Sequence, residues 1–175
     1  MPSGKTHDAI TILLAAPTFV AAWGVTGSFA LASVATAAML FGGLMFGPDL
    51  DIQSKQYTRW GVFRFLWLPY KVMFRHRSRW SHGLIFGTLI RVVYFTGVIL
   101  LLAAAAVYLR AMLVNRAPPS FEEVAVVWKM MDAVLKQSVG NHVLWMTFGG
   151  LWWGAASHTL TDVGWSLIRK SSEIF

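Results

Sequence analysis

The stretch AITILLAAPTFVAAWGVTGSFALASVATAAMLFGGLMFGP, residues 9–48, decides the fold. It runs for 40 residues, 9 through 48, without a formal charge. A single helix of that length would be about 60 Å long, twice the hydrocarbon core of a bilayer. The chain must turn, and Gly24-Val25-Thr26-Gly27 is where glycine releases helical geometry. The spacing predicts an apolar hairpin: a helix over 8–23, carrying Pro17, then a second over 28–46, ended by Pro48. His7 and Asp8 precede the run where a signal peptide would carry basic residues, and the run continues into a second span, so it does not read as a cleaved leader.

Composition agrees with a membrane setting. Of the 175 residues, 56% are hydrophobic and 13% charged, against about 25% charged in soluble domains. The mean hydropathy is +0.55. These values argue against a water-soluble globule and against disorder. The chain has no cysteine, which excludes disulfides, thiolate-held iron–sulfur clusters and cysteine zinc sites. Any metal must be held by His, Asp or Glu. The net charge of +7 reads as a topology and lipid-surface feature instead of a nucleic-acid footprint.

Outward from the hairpin, residues 49–82 form a basic loop dense in aromatics, a mixture suited to the headgroup layer. A third span is expected over 83–109, interrupted only by Arg91. Residues 121–137 alternate Glu122, Glu123, Lys129, Asp132 and Lys136 with apolar residues, as an amphipathic surface helix would. A fourth span covers 142–168, where Gly150 and Gly154 make a small-xxx-small pair suited to close helix packing. Gly4-Lys5-Thr6 resembles the end of a phosphate-binding loop but lacks the upstream glycine and strand.

The expected architecture is therefore a single domain: an all-α integral membrane protein, a four-helix transmembrane bundle with an interfacial cytoplasmic loop and one amphipathic helix on the opposite face. One side collects Lys5, Lys55, Arg59, Arg64, Lys71, Arg75, Arg77, Arg79, Arg169 and Lys170; the other holds Arg110, Arg116, Lys129 and Lys136. That asymmetry puts both termini and the 49–82 loop in the cytoplasm, in a bacterial inner membrane or another cytoplasm-facing membrane.

Up-and-down threading brings the metal-ligating residue types to this same end. His7 and Asp8 start the first helix, Asp49 and Asp51 follow the second, His76 and His82 precede the third, and His158 and Asp162 lie near the end of the fourth. His158 and Asp162 are four apart, so they share a helix face. Asp49 and Asp51 face one side if the backbone there is extended. Ionisable residues inside a membrane bundle usually face its interior and act there. Such a donor set, without cysteine, suits zinc first, and also manganese or iron. Between His7 and Asp8 the sequence does not choose. Arg91 is expected to snorkel to the cytoplasmic face or to make a structural pair.

The order His7, Gly-Pro-Asp-Leu-Asp at 47–51, His-Arg-Ser-x-x-Ser-His at 76–82 and His-x-x-x-Asp at 158–162 resembles the predicted membrane-bound, metal-dependent hydrolases of the YdjM-like group. It is especially similar to a small branch of metal-binding proteins common in cyanobacteria. The resemblance spans nearly the whole chain. It implies that His7, Asp49, Asp51, His76, His82, His158 and Asp162 are metal ligands, and that the activity is hydrolytic. The family's third motif runs His-Arg-Gly-x-Thr-His; here Ser78 and Ser81 replace its glycine and threonine, and one more residue separates the histidines.

Seven ligands exceed what one tetrahedral ion needs, so two divalent ions are expected, with Asp49 or Asp51 shared between them. Arg77 is the candidate for gripping a transferred phosphate, because a guanidinium binds phosphate bidentately. A site at the lipid surface suits an amphiphilic phosphoester. The alternative is a non-enzymatic membrane metal-binding protein: a sensor, a chaperone or a transporter component. Expected partners are the lipid bilayer and the amphiphilic substrate, with no nucleic acid. The oligomeric state is left open.

Overall fold

The computed structural model describes residues 2–74, 78, 80, 83–114, 118 and 120–172, and among these every regular element is helical. Helix α1 spans Gly4–Leu13 and α2 spans Ala15–Thr26. They form one 23-residue apolar rod, Gly4–Thr26, interrupted at Leu14 because Pro17 has no N–H to donate one turn back. Ser3 caps α1 by accepting from the Thr6 N–H. Gly4-Lys5-Thr6 is thus the first turn of a helix and not a phosphate loop. The expected turn is present: Gly27 adopts a φ of 62° and donates its N–H to the Trp23 carbonyl at 2.8 Å.

Helix α3, Phe29–Leu44, follows, capped by Ser28. The connecting segment then folds as a 3-10 turn at Pro48–Asp51, a short helix α4 at Lys55–Thr58, a second 3-10 segment at Gly61–Trp67 and helix α5 at Leu68–Met73. Three longer helices complete the chain: α6, Phe86–Val114; α7, Phe121–Val139; and α8, Val143–Ser172. Each long helix matches a helix read from the sequence, with ends displaced by a few residues. The α6 and Gly4–Thr26 rods are long and apolar enough to cross a membrane; α3 is apolar but shorter.

The tightest pairing is α3 against α8, with α1 packed on both. Glycine makes it possible. A Cβ at Gly154 would overlap the Met39 carbonyl oxygen, and one at Gly150 would overlap that of Ala35. From the other side, a Cβ at Gly42 would lie 2.5 Å from the Leu151 carbonyl oxygen. Backbones in direct contact are how helices associate where no hydrophobic effect drives them together. The Gly150–Gly154 pair is therefore used as its spacing suggested.

The 49–82 segment departs from a simple headgroup layer. Phe63, Phe65 and Trp80 are exposed, but Tyr57, Trp67 and Tyr70 are buried with Phe46 and Leu50, and Trp60 packs on them. The Trp67 ring stacks on Phe95 of α6, planes 3° apart and centroids 5.7 Å apart. The Trp60 indole donates to the Met45 carbonyl at 2.9 Å. The aromatics thus build a second small core that clamps the segment onto the ends of α3 and α6. Amphipathic α7 carries a complete capping box between Ser120 and Glu123 and a Lys136–Asp132 ion pair.

Candidate metal centre

α1 brings His7 to the end of the bundle, and the Thr11 hydroxyl one turn later donates to the His7 carbonyl at 2.9 Å. α8 brings His158 and Asp162 from one face. His7 Nε2 lies 3.3 Å from Asp162 Oδ1, and His158 Nε2 lies 3.4 Å from Asp49 Oδ2 and 3.9 Å from Asp162 Oδ2. One ligand atom each from His7, His158 and Asp162 falls within 4.8 Å of the others. Both histidines are buried, at 7% and 5% exposure.

These separations are compatible with a hydrogen-bonded cluster and with a metal-coordinating one. Hydrogen bonds between nitrogen and a carboxylate oxygen are shortest at about 2.7–2.9 Å when charged. Two donors on a tetrahedral zinc, at ~2.0–2.2 Å from the metal, are about 3.3–3.5 Å apart. The 3.3 and 3.4 Å pairs match the coordination edge. The His7 and His158 rings also stack, centroids 3.7 Å apart and planes 13° apart. Two protonated rings would repel in that arrangement, whereas metal ligation requires neutral imidazole. The donor set therefore fits a borderline divalent ion.

A scan of family models matches residues 2–172 to "Uncharacterized metal-binding protein (DUF2227)". The chain belongs to this metal-binding family. A curated relative, an "Uncharacterized protein" of Aquifex aeolicus (strain VF5), is 41% identical over 56 residues, 31% of this chain. That stretch spans 39% of the relative's length. No solved structure matches the chain.

At the start of the first helix it is His7 whose ring faces His158 and Asp162. Asp8 is held by both Arg59 Nη atoms, at 2.9 and 2.5 Å. Asp49 and Asp51 do not lie on an extended backbone. Pro48–Asp51 is a 3-10 turn, in which residues two apart point in different directions. Asp49 faces His158, while buried Asp51 lies in the electrostatic reach of Tyr70 and Arg91.

Arg91 does not snorkel. It is 2% exposed and donates to the Thr88 hydroxyl at 3.1 Å. The structural pairing is the outcome, since the folded 49–74 segment covers the end of α6. Burial pushes the neighbouring Tyr70 hydroxyl up from its ordinary range, and the Arg91 charge partly offsets that. His76, His82 and Arg77 lie outside the described residues.

Gln56 is a site residue that the sequence did not reveal. It is 4% exposed. Its Nε2 donates to the Gly43 carbonyl at 2.8 Å, and its Oε1 accepts from the Asp49 N–H at 3.3 Å. Those two backbone partners fix which way the amide faces. Nε2 then points to His158 Nδ1 at 3.3 Å. The Nδ1 is the acceptor, and the His158 proton sits on Nε2, toward Asp49. One amide thus orients both a candidate carboxylate and a candidate imidazole. A lone glutamine in a polar loop carries no motif, and its role exists only because Gly47 leaves room for it: a Cβ there would overlap the Gln56 amide.

These groups line a cavity of about 300 Å³. Its lining includes His7, Asp8, Asp49, His158 and Asp162 together with Gly4, Lys55 and Gln56.

Proposed function

We propose that this chain is a membrane-embedded, metal-dependent hydrolase, as the YdjM-like resemblance implies, and that a site at the lipid surface takes a lipid-linked phosphoester as its substrate. The observation that carries the reading is the meeting of His7, His158 and Asp162, with Asp49 beside them, in a cavity at one end of the bundle. In this account His7, His158, Asp162 and Asp49 hold a first divalent ion. By the resemblance, Asp51, His76 and His82 would hold a second ion, with Asp49 or Asp51 shared between the two. Zinc is the favoured metal.

A bound divalent ion supplies Lewis-acid polarisation of a phosphoryl oxygen and a nucleophile at neutral pH. The chain supplies the rest. Before the metal enters, Gln56 holds His158 and the Asp49 backbone in place. The α3–α8 glycine contact fixes the distance between the ligand-bearing helices. Arg77 is assigned to the transferred phosphate.

Membrane embedding is supported by where the apolar surface lies. The apolar windows of Gly4–Thr26 and Phe86–Val114 are 6% and 0% buried inside the protein. A soluble core helix would be covered by its own chain; these expose Leu13, Val25, Leu101 and Leu113. α7 exposes Val126, Met130 and Val134 at four-residue spacing, as an interfacial helix does. The four-span bundle follows if α3 and α8 also cross, with α7 on the far surface and the termini and site on the cytoplasmic face.

The test is hydrolysis of phosphatidic acid and of a soluble aryl phosphate by detergent-purified protein, with and without chelator. Metal-dependent release of phosphate, restored by zinc after chelation, is expected. Stoichiometric metal with no turnover on phosphoesters, acyl esters or amides would instead favour a non-enzymatic metal protein.

A further inference from the structure

The cavity holds one cation that the metal site does not use. Lys55, the first residue of α4, lines the same space as His7, Asp49, His158 and Asp162. Its stem runs along the first turn of α1, so that a Cβ on Gly4 would come 3.0 Å from Lys55 Cδ. The nearby carboxylate that Lys55 acts on is Asp8, but both Asp8 oxygens are already taken by Arg59. Lys55 makes no ion pair among the described residues.

Formal charge gives this placement a consequence. Arg59 cancels Asp8, and one divalent ion cancels Asp49 and Asp162. Lys55 then leaves the loaded cavity with one uncompensated positive charge. A cavity of about 300 Å³ lies at the small end of ligand pockets, about 300–1,000 Å³. It accommodates a headgroup-sized anion but not a whole amphiphile, whose chain must lie outside. A lysine ammonium is a compact point charge with three donors, suited to a phosphate oxygen.

We propose that Lys55 is an anion-binding residue of this cavity, acting in addition to the Arg77 of the hydrolase reading, and that it holds an oxygen of a phosphate monoester or diester. The proposal rests on the hydrolase reading and deepens it by naming a second residue that binds the phosphate.

The test uses full-length protein in detergent, loaded with zinc, titrated calorimetrically with inorganic phosphate and separately with phosphatidic acid in mixed micelles. Lys55→Met keeps the stem on Gly4 and removes the charge. Its phosphate affinity should fall at least tenfold while its metal content stays at the wild-type value; Lys55→Arg should recover most of the loss, and Lys5→Met should change little. A loss seen with both probes identifies a site for free phosphate; a loss with phosphatidic acid alone identifies a lipid headgroup as the source. Equal binding by wild type and Lys55→Met, at equal metal content, overturns this inference and leaves the hydrolase reading standing. A wild-type protein that holds no metal removes that reading and the inference with it. If Lys55→Met does not fold, Gly4→Ala, which crowds the lysine stem without touching its charge, should weaken phosphate binding; unchanged binding there is equally contrary.

Discussion

The imidazoles of His7 and His158, 151 positions apart in the chain (158 less 7), lie face to face at 3.7 Å with Asp162 beside both. Nothing local holds them there. The contact depends on α1 meeting α8, and therefore on the glycines that let α3 and α8 touch. Metal site and helix packing are one structure, and the predictions follow from that.

His7→Ala removes a proposed ligand and should weaken zinc binding by more than the roughly 10–100-fold seen when only a ligand's supporting partner is lost. Asp8→Asn should leave zinc stoichiometry unchanged, because Asp8 is committed to Arg59. Competition titration against a zinc indicator separates the two variants. Equal losses would mean that Asp8 shares the site.

Gly154→Ala should destabilise the protein by about 1–3 kcal/mol or more, since the added carbon meets backbone and not a movable side chain. It should also cost metal, because His158 lies one turn further along α8. Gly149→Ala and Gly164→Ala, where a Cβ meets nothing within 4 Å, should be neutral or slightly stabilising, by about 0.5–1 kcal/mol. Thermal unfolding in detergent with parallel metal analysis checks the contrast.

Gln56→Leu leaves the Gly43 carbonyl and the Asp49 N–H without their partner. Each buried unmade bond costs about 1–3 kcal/mol, and a clear fall in melting temperature is expected. The amide also dictates the His158 tautomer. In protein stripped of metal, nitrogen NMR should report the proton on Nε2. Zinc ligation through Nε2 should move it to Nδ1 and turn the Gln56 amide. A proton on Nδ1 before loading would contradict the described hydrogen bonds.

Much of the large-scale plan is legible in the sequence, because it rests on lengths and charges. Forty uncharged residues cannot be one span, so the turn near Gly27 was forced; the up-and-down order then placed His7, Asp49, His158 and Asp162 at one end. The finer geometry was hidden for physical reasons. Whether Asp49 and Asp51 face one way depends on backbone torsions within four residues, and Pro48 favours a 3-10 turn as readily as an extended strand. The aromatics of 57–70 suit a headgroup layer or a buried core equally by composition; only the ends of α3 and α6 decide between them. Gln56 acts through two backbone groups and one ring, none adjacent to it in sequence. Composition alone does not show that the 49–74 segment folds into a cap over Arg91, which is why the sequence leaves that side chain a path to water.

The most direct test is elemental mass spectrometry of the detergent-purified protein beside a His158→Ala/Asp162→Ala variant, after mild dialysis. The account predicts bound divalent metal in the wild type, about two ions per chain if the second position fills, and loss of metal in the variant with helicity retained. Absence of metal from both samples after zinc reconstitution, or equal metal in both, would contradict it.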